Sequence, residues 1–247
     1  MNALISPKPG HVPAIPASPT TELRIGGFVG LSGCDWPGEL AATVFCQGCP
    51  WQCRYCHNTH LLPAERAGQI AWPSVLDFMR SRIGLLDGLV FSGGEPTLQQ
   101  GLAAAMRDVR ALGFRVGLHT AGPYPERLTV VLPLVDWVGF DAKAPFDDYP
   151  RVTGVPGSGE RARDSLLRVL ASGVAYEVRT TVHPALLDQT MLHRLADTLT
   201  DLGVTRYALQ AFRGTGCQDG ELLSGATAPA PRLPEAMRAR FADLIVR

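Results

Sequence analysis

The sequence lacks the features that mark most charge-driven binding proteins and membrane proteins. It has 23 Lys and Arg residues against 23 Asp and Glu residues, so its formal net charge is zero. Nucleic acids and anionic lipid surfaces bind best to proteins with an excess of positive charge. No uninterrupted apolar run approaches the roughly 18 residues that suggest a membrane span. We therefore expect neither a nucleic-acid partner nor a membrane-bound protein.

The N-terminal segment lacks the pattern of a secretory signal, because residues 1–7 contain no basic stretch followed by an apolar one. A cytoplasmic protein is therefore expected. Five prolines fall within the first 20 residues, which favours a disordered, Pro-rich tail over residues 1–22. The remaining residues, 23–247, have a length that commonly folds as a single domain.

Cysteine is sparse outside one short segment. Two of the six cysteines stand apart, at positions 34 and 217, and the other four fall within eleven residues: Cys46, Cys49, Cys53 and Cys56. Disulfide frameworks spread their cysteines along a secreted domain, whereas a reducing cytosol keeps thiols free. The crowding therefore indicates metal ligands, because zinc and iron–sulfur clusters select soft thiolate donors.

Three kinds of metal site compete for this segment. A four-cysteine zinc site usually joins two C-x2-C pairs across a long loop, but only three residues separate Cys49 from Cys53. Bacterial ferredoxins use C-x2-C-x2-C spacing, which the same gap breaks. The triplet Cys49-x3-Cys53-x2-Cys56 favours a [4Fe–4S] cluster with one open iron, and Cys46 is then a buried apolar residue. Zinc and a simple electron carrier stay open as alternatives.

The triplet, with Tyr55 directly before its last cysteine, resembles the signature of the radical S-adenosylmethionine (SAM) superfamily. The resemblance implies SAM as a cofactor, bound to the open iron, with Tyr55 among the cofactor-binding residues. It also implies reductive cleavage of SAM to methionine and a 5′-deoxyadenosyl radical, which abstracts hydrogen from a substrate. Glycyl-radical-enzyme activators with additional ferredoxin-like clusters carry C-x2-C-x2-C runs, and this chain has none, so we expect one cluster.

Short apolar segments alternate with helical patterns, which predicts an α/β fold with a mostly parallel sheet. The predicted strands cover residues 40–45, 88–91, 115–119, 137–141, 176–182 and 206–211. The predicted helices cover residues 74–83, 99–112, 126–134, 160–172, 188–202 and 234–246. The superfamily resemblance implies that these elements form an open, partial (β/α)6 barrel similar to part of a TIM barrel. Such folds gather their chemistry at the carboxyl ends of the strands.

Two further motifs follow predicted strands. Gly93, Gly94 and Glu95 resemble the G-G-E motif of the superfamily, whose backbone carbonyls bind the ammonium group of the methionine moiety. Paired glycines let a backbone approach a ligand closely. Asp141 and Lys143 lie two residues apart at a strand end and resemble the D-x-K motif of glycyl-radical-enzyme activators. A carboxylate beside an ammonium group suits a zwitterionic ligand.

Arg179 and Gln210 are further candidates for cofactor binding. Arg179 shares a strand face with Glu177, so a structural network of charges is an alternative to contact with the cofactor's carboxylate. Gln210, near the end of the sixth predicted strand, is a candidate adenosine contact. His119 begins the segment H-T-A-G, where activators often have D-T-N-G, and an ordinary hydrogen-bonded role is expected for it. No catalytic side chain is expected beyond the cluster and the cofactor.

Longer segments extend the resemblance over about residues 24–217. They are similar to the activating proteins of anaerobic ribonucleoside-triphosphate reductase, at residues 27–32, 35–40, 56–58, 140–145, 179–182 and 209–212. That family implies the generation of a glycyl radical on a partner enzyme, with reduced flavodoxin or ferredoxin as electron donor. Two alternatives stay open. One is a radical SAM enzyme acting on a small molecule such as a deazaguanine precursor, and the other is a non-enzymatic iron–sulfur or zinc module.

Overall fold

A computed structural model describes residues 23–224 and 233–247. The tail predicted over residues 1–22 lies outside these residues. The strands are β1 (Ile25–Ser32), β2 (Ala41–Cys46), β3 (Gly88–Gly93), β4 (Arg115–Thr120), β5 (Trp137–Asp141), β6 (Ala175–Val182), β7 (Arg206–Ala211) and β8 (Asp243–Val246).

The described strands form one sheet in the sequential order β1 to β8. β1 runs antiparallel to β2, and each later pair of neighbours is parallel. The sheet does not close, because β1 and β8 are its two edges. The predicted α/β class, the open partial barrel and the six predicted strands, which correspond to β2–β7, are confirmed.

Helices cover the outer face of the sheet. They are α1 (Trp72–Arg80), α2 (Leu102–Ala111), α3 (Pro125–Val131), α4 (Tyr149–Thr153), α5 (Ser158–Ser172), α6 (Gln189–Asp201), α7 (Gly220–Ser224) and α8 (Glu235–Arg238). Local signals fix two of their starts, since Pro73 lies in the first turn of α1 and the Asp188 carboxylate accepts from the backbone N–H of Met191 at 2.8 Å. Among the described residues, no helix is long and apolar enough to cross a membrane.

The helix predicted over residues 234–246 is wrong beyond its first turn. α8 ends at Arg238, and the following segment becomes strand β8, which pairs with β7 from Arg206 to Leu209. The last three residues of β8 are Leu, Ile and Val, which pack well in a strand at a sheet edge. A short apolar run next to a helical pattern does not distinguish the two structures by periodicity alone.

Strand β1 was not predicted, because three of its eight residues are glycines, which are poor strand formers. Two of these glycines leave room for neighbouring side chains. A Cβ atom on Gly30 would lie 2.7 Å from the ring of Phe78, and one on Gly26 would lie 2.3 Å from Leu61. Gly26 and Gly30 therefore allow Leu61 and Phe78 to pack directly against the backbone of β1.

Two apolar layers hold the strand ends in place. Between the sheet and its helices, Leu89, Phe91 and Phe140 are fully buried, and each such side chain stabilises the fold by about 1.5–3 kcal/mol. Inside the barrel, the loop after β1 folds inward and stacks Trp36 on Trp137, with ring centroids 5.8 Å apart. Trp137 is the first residue of β5, so this pair packs at the amino end of the barrel, away from the carboxyl ends of the strands.

Candidate functional site

A cavity of about 500 Å³ opens at the carboxyl ends of the parallel strands. Its lining includes every predicted site residue, namely Cys49, Cys53, Tyr55, Cys56, Gly93, Gly94, Glu95, Asp141, Lys143, Arg179 and Gln210. These residues lie on five different strands or on the loops that follow them. The topology thus brings the sequence motifs together at one mouth.

The cysteines follow β2 in a loop that we call the cysteine loop, residues 47–58. Backbone hydrogen bonds attach it to distant parts of the chain. The N–H groups of Gln52 and Arg54 donate to carbonyls at the end of α4, over 3.0 and 3.1 Å, and Cys49 N–H donates to Leu62. A loop held at several points keeps its side chains in fixed positions without regular secondary structure.

The three thiols are half-buried beside the same cavity. Burial, with a smaller contribution from the Glu95 charge, raises the pKa of the Cys49 thiol to about 12. Burial likewise raises the pKa of Cys53. Among the described residues, no three Cys, His, Asp or Glu side chains converge on a single metal ion. The donor set, three soft thiols around one cavity, nevertheless fits an iron–sulfur cube, whose irons lie at separate corners.

Gly93 and Gly94 form a backbone cradle against the cysteine loop. Gly93 has φ +116°, and a Cβ atom there would lie 2.3 Å from the backbone nitrogen of Cys46. One on Gly94 would lie 2.3 Å from the carbonyl oxygen of Gly48, which itself accepts from Glu95 N–H at 2.9 Å. Only glycine fits at either position, so the carboxyl end of β3 contacts the start of the cysteine loop directly.

The Glu95 carboxylate is hydrogen-bonded entirely within the protein. Its carboxylate is 1% exposed and accepts from the backbone N–H and hydroxyl of Thr97, from the Thr120 hydroxyl and from Ala121 N–H, over 2.6–3.1 Å. Burial raises its pKa, although these donors oppose the change. The side chain therefore joins the end of β3 to the end of β4, and only its backbone is left for a ligand.

Asp141, Lys143 and Arg179 form a charged group on one wall of the cavity. Arg179 donates from Nε to Asp141 Oδ1 over 3.0 Å, and the Lys143 ammonium lies 3.7 Å from Asp141 Oδ2. Burial alone would raise the pKa of Asp141, but the positive charges of Arg179 and Lys143 lower it. Lys143 is 8% exposed and lies over the Tyr55 ring, 5.4 Å from its centroid.

The sequence left open a structural network of charges that joins Arg179 to Glu177. Arg179 does belong to such a network, but its partner is Asp141 and not Glu177. Glu177 pairs with Arg247 at 2.6 Å, whereas Arg179 bonds to Asp141 and also to the carbonyl of Gly139 at 3.3 Å. Gln210 lines the cavity, and its amide oxygen, in the orientation that satisfies its neighbours, accepts from Arg247 at 3.1 Å. Both predicted cofactor contacts are thus already bonded within the protein.

The segment that forms most of the sheet matches a known family. Residues 43–208 match the model of the radical SAM superfamily. The chain therefore belongs to the radical SAM superfamily. The superfamily uses a [4Fe–4S] cluster and SAM, and these are the cofactors of this enzyme.

Curated relatives indicate which group within the superfamily the chain belongs to. The chain is 31% identical over 206 residues to a protein of Methanocaldococcus jannaschii provisionally named a glycyl-radical enzyme activating enzyme, covering 80% of this chain and 83% of that one. It is 27% identical to the pyruvate formate-lyase-activating enzyme of Clostridium pasteurianum, covering 81% and 87%. This radical SAM enzyme therefore belongs to the glycyl-radical-enzyme activating enzymes.

Solved structures share the fold. QueE from Escherichia coli matches with a TM-score of 0.51 at 17% identity, over 82% of this chain and 90% of that one. SuiB from Streptococcus suis, bound to its precursor peptide SuiA, matches with a TM-score of 0.57 at 13% identity. The match covers 81% of this radical SAM enzyme but 46% of SuiB, so the present chain spans less than half of that protein.

Several cavity residues of this radical SAM enzyme were not predicted as site residues. They include Cys34, Asp35, Trp51, His119, Arg213 and Arg247. Asp35 arrives from the loop after β1, where its carboxylate accepts from the Thr43 hydroxyl at 2.8 Å. Its backbone carbonyl lies 2.7 Å from His119 Nε2. His119 gave a signal in the sequence, because it replaces the Asp that related activators often have, but Arg213 and Arg247 gave none.

His119 is held by three partners. Its Nδ1 lies 3.1 Å from the Ser92 hydroxyl, and its Nε2 lies 2.7 Å from the Asp35 carbonyl and 3.1 Å from Arg179 Nη1. Burial, and then the neighbouring charge of Arg179, lower the pKa of His119 to about 4. The residue therefore joins β3, β4 and the loop after β1 without carrying a charge at neutral pH.

This lowered pKa predicts a loss of stability in mild acid. Because His119 takes up a proton more readily in the unfolded chain than in the folded one, its contribution is present above about pH 6.5 and falls towards pH 4. Between pH 7 and pH 5, the unfolding free energy of the wild type should fall by about 1–2 kcal/mol more than that of His119→Gln. Urea unfolding of both proteins measures this difference, and parallel pH dependences would contradict it.

Proposed function

We propose that this activating enzyme generates a glycyl radical on anaerobic ribonucleoside-triphosphate reductase. The choice of this reductase rests on the segments that resemble its activating proteins, and a main-chain substrate is supported by the pairing of charges in the cavity. Of its four Lys and Arg side chains, Lys143 and Arg179 pair with Asp141, and Arg247 pairs with Glu177. Only Arg213, at the exposed rim, has no ion-pair partner among the described residues. Because the SAM carboxylate would use Lys143, the wall leaves no further buried, unpaired cation among the described residues for an anionic small molecule, and an uncharged main-chain segment suits it better.

The residues around the cavity divide into groups with different tasks. Cys49, Cys53 and Cys56 would bind three irons of the [4Fe–4S] cluster, leaving the fourth iron to SAM. The backbone carbonyls of Gly93, Gly94 and Glu95, together with Asp141, would bind the ammonium group of SAM. Lys143 would bind its carboxylate, Arg179 would hold Asp141 in place, and Tyr55 and Gln210 would border the rest of the cofactor.

When both are bound, the cluster and SAM supply a one-electron cleavage of the cofactor and abstraction of a hydrogen atom from the substrate. The protein orients the two reacting groups and keeps water from them. The cavity with the cysteines opens at the carboxyl ends of the strands, so the substrate glycine would enter from that end. The sequence has one run of cluster-spaced cysteines, and an external donor, reduced flavodoxin or ferredoxin, would supply the electron.

The test is anaerobic activation of a candidate partner. Reconstituted protein, SAM and reduced flavodoxin are incubated with anaerobic ribonucleoside-triphosphate reductase, and the glycyl radical is measured by electron paramagnetic resonance. We expect a radical on the reductase. A radical that forms only on pyruvate formate-lyase would show that the proposed partner is wrong and that the proposed activity is right. If neither protein acquires a radical, while a small molecule of the deazaguanine pathway stimulates cofactor cleavage, the proposal is wrong.

The two isolated cysteines give a prediction about stoichiometry. Cys34 is exposed beside Ser32, and Cys217 is buried with its thiol 3.5 Å from the carbonyl of Arg54. Neither belongs to the C-x3-C-x2-C triplet, so Cys34→Ser and Cys217→Ser should each retain about four irons per chain after reconstitution. Iron analysis measures this directly, and loss of iron in Cys34→Ser would overturn the ligand assignment.

A further inference from the structure

The cysteine loop is covered on its outer side by residues 213–224, which we call the strap. The strap follows β7 and ends with α7. Its Gly216 has φ +80°, and a Cβ atom there would lie 2.1 Å from the carbonyl oxygen of His57. The backbones of the strap and the cysteine loop are therefore in direct contact next to Cys56, although about 160 residues separate them in the sequence.

Arg54 makes the main polar connection between the two segments. It lies between Cys53 and Tyr55 in the cysteine motif. Its Nε donates to Asp219 over 2.7 Å and its Nη2 donates to Glu221 over 2.6 Å. Its backbone carbonyl accepts from the Cys217 thiol at 3.5 Å, so both ends of this residue are bonded to the strap.

The strap itself is organised to hold Asp219 in place. Asp219 Oδ1 accepts from the backbone N–H groups of Glu221 and Leu222, over 3.1 and 3.2 Å, while Oδ2 accepts from Arg54. The carboxylate is 19% exposed. Hydrogen bonding to Arg54 lowers the pKa of Asp219, as expected for a carboxylate held in its charged form.

On the opposite side, the end of α4 accepts from the backbone of the same loop. Thr153 and Val152 carbonyls bind Gln52 and Arg54 N–H. The loop is thus held between α4 and the strap, and Arg54 contacts both. Groups that orient a metal ligand from outside typically change metal affinity by about 10- to 100-fold when they are removed.

We infer that Asp219 and Glu221 are positioning residues for the iron–sulfur cluster, acting through Arg54 on the segment that carries Cys53 and Cys56. The inference rests on the proposed function, because it requires the cluster to be bound by these cysteines. Asp219 and Glu221 do not line the cavity, so they act on the retention of the cluster and do not contact the reacting groups.

The test uses the double variant Asp219→Asn/Glu221→Gln, which removes both charges with little change in shape. A matched control exists on another surface, where Arg240 bridges Asp197 and Asp201 far from the cysteine loop in the sequence. The control is Asp197→Asn/Asp201→Asn. After reconstitution, the rate of iron loss to a chelator should rise about tenfold in the first variant and stay unchanged in the control. The conservative variant Asp219→Glu, which keeps the negative charge paired with Arg54, should lose iron more slowly than the double variant.

Two further measurements separate the outcomes. Urea unfolding of the metal-free proteins should show the same stability for the two double variants, which excludes general destabilisation as the cause. Equal rates of iron loss in wild type, variant and control would overturn the positioning role alone. A wild-type chain that retains no cluster, or a Cys53→Ser variant that retains all four irons, would overturn the proposed ligand set and the positioning role together.

Discussion

The Cys53→Ser variant should reconstitute without its [4Fe–4S] cluster and form no 5′-deoxyadenosine. A hydroxyl is a hard and weakly acidic donor that does not replace a thiolate on iron. Cys53 is the middle ligand of the predicted triplet, and its thiol lines the cavity with those of Cys49 and Cys56. Both iron content and SAM cleavage are therefore expected to fall to background, as they should for the same substitution at Cys49 or Cys56.

The control for this result is Cys46→Ser, since Cys46 lies three residues before the triplet but is buried in the apolar core and does not line the cavity. That variant should keep its iron, although burying a hydroxyl in the core should cost some stability. Iron analysis and chromatography of the products check both proteins. Full iron content and normal cleavage in Cys53→Ser would show that another set of residues binds the cluster.

Lys143→Met should weaken SAM binding by about 30-fold or more. Lys143 is almost buried in the cavity wall, and truncating one partner of a buried charge pair costs at least about 2 kcal/mol, of which each 1.4 kcal/mol is tenfold in affinity. Because Asp141 keeps its bond to Arg179, the variant should still fold and bind iron. Titration calorimetry of the cluster-loaded protein with SAM measures the affinity.

Lys143→Arg is the companion variant, because it keeps the charge but changes its shape and position. Its loss of affinity should be smaller than that of Lys143→Met. If both variants bind SAM as tightly as the wild type, Lys143 does not contact the cofactor, and its role is limited to neutralising Asp141.

The sequence predicted the residues that carry the chemistry of the site more completely than the hydrogen bonds and ion pairs that hold those residues in place. The cysteine spacing, the paired glycines and the D-x-K pattern are local features, and parallel strands bring their carboxyl ends to one edge without further information. The bonds of the Glu95 carboxylate to Thr120 and Ala121 were not predicted, because they depend on how β3 and β4 align. The same holds for Arg54 and Asp219, which are 165 residues apart.

The two sheet edges show the same limit of local reasoning. The glycines of β1 suppress its strand signal, and their necessity becomes visible only beside Phe78 and Leu61. The segment 243–246 follows a helical pattern, and its pairing with β7 is a tertiary interaction that overrides local propensity. The central strands β2 to β7 were predictable because their apolar runs are fully buried and flanked by turn residues.

The most direct measurement of the central claim is isotope transfer from the partner's glycine. Anaerobic ribonucleoside-triphosphate reductase is prepared with deuterium on its glycine Cα positions and activated with this protein, SAM and reduced flavodoxin. Mass spectrometry then measures deuterium in the 5′-deoxyadenosine that forms. The account predicts that 5′-deoxyadenosine carries one deuterium and that its yield follows the glycyl radical signal. Unlabelled 5′-deoxyadenosine, formed at the same rate with and without the partner, would contradict it.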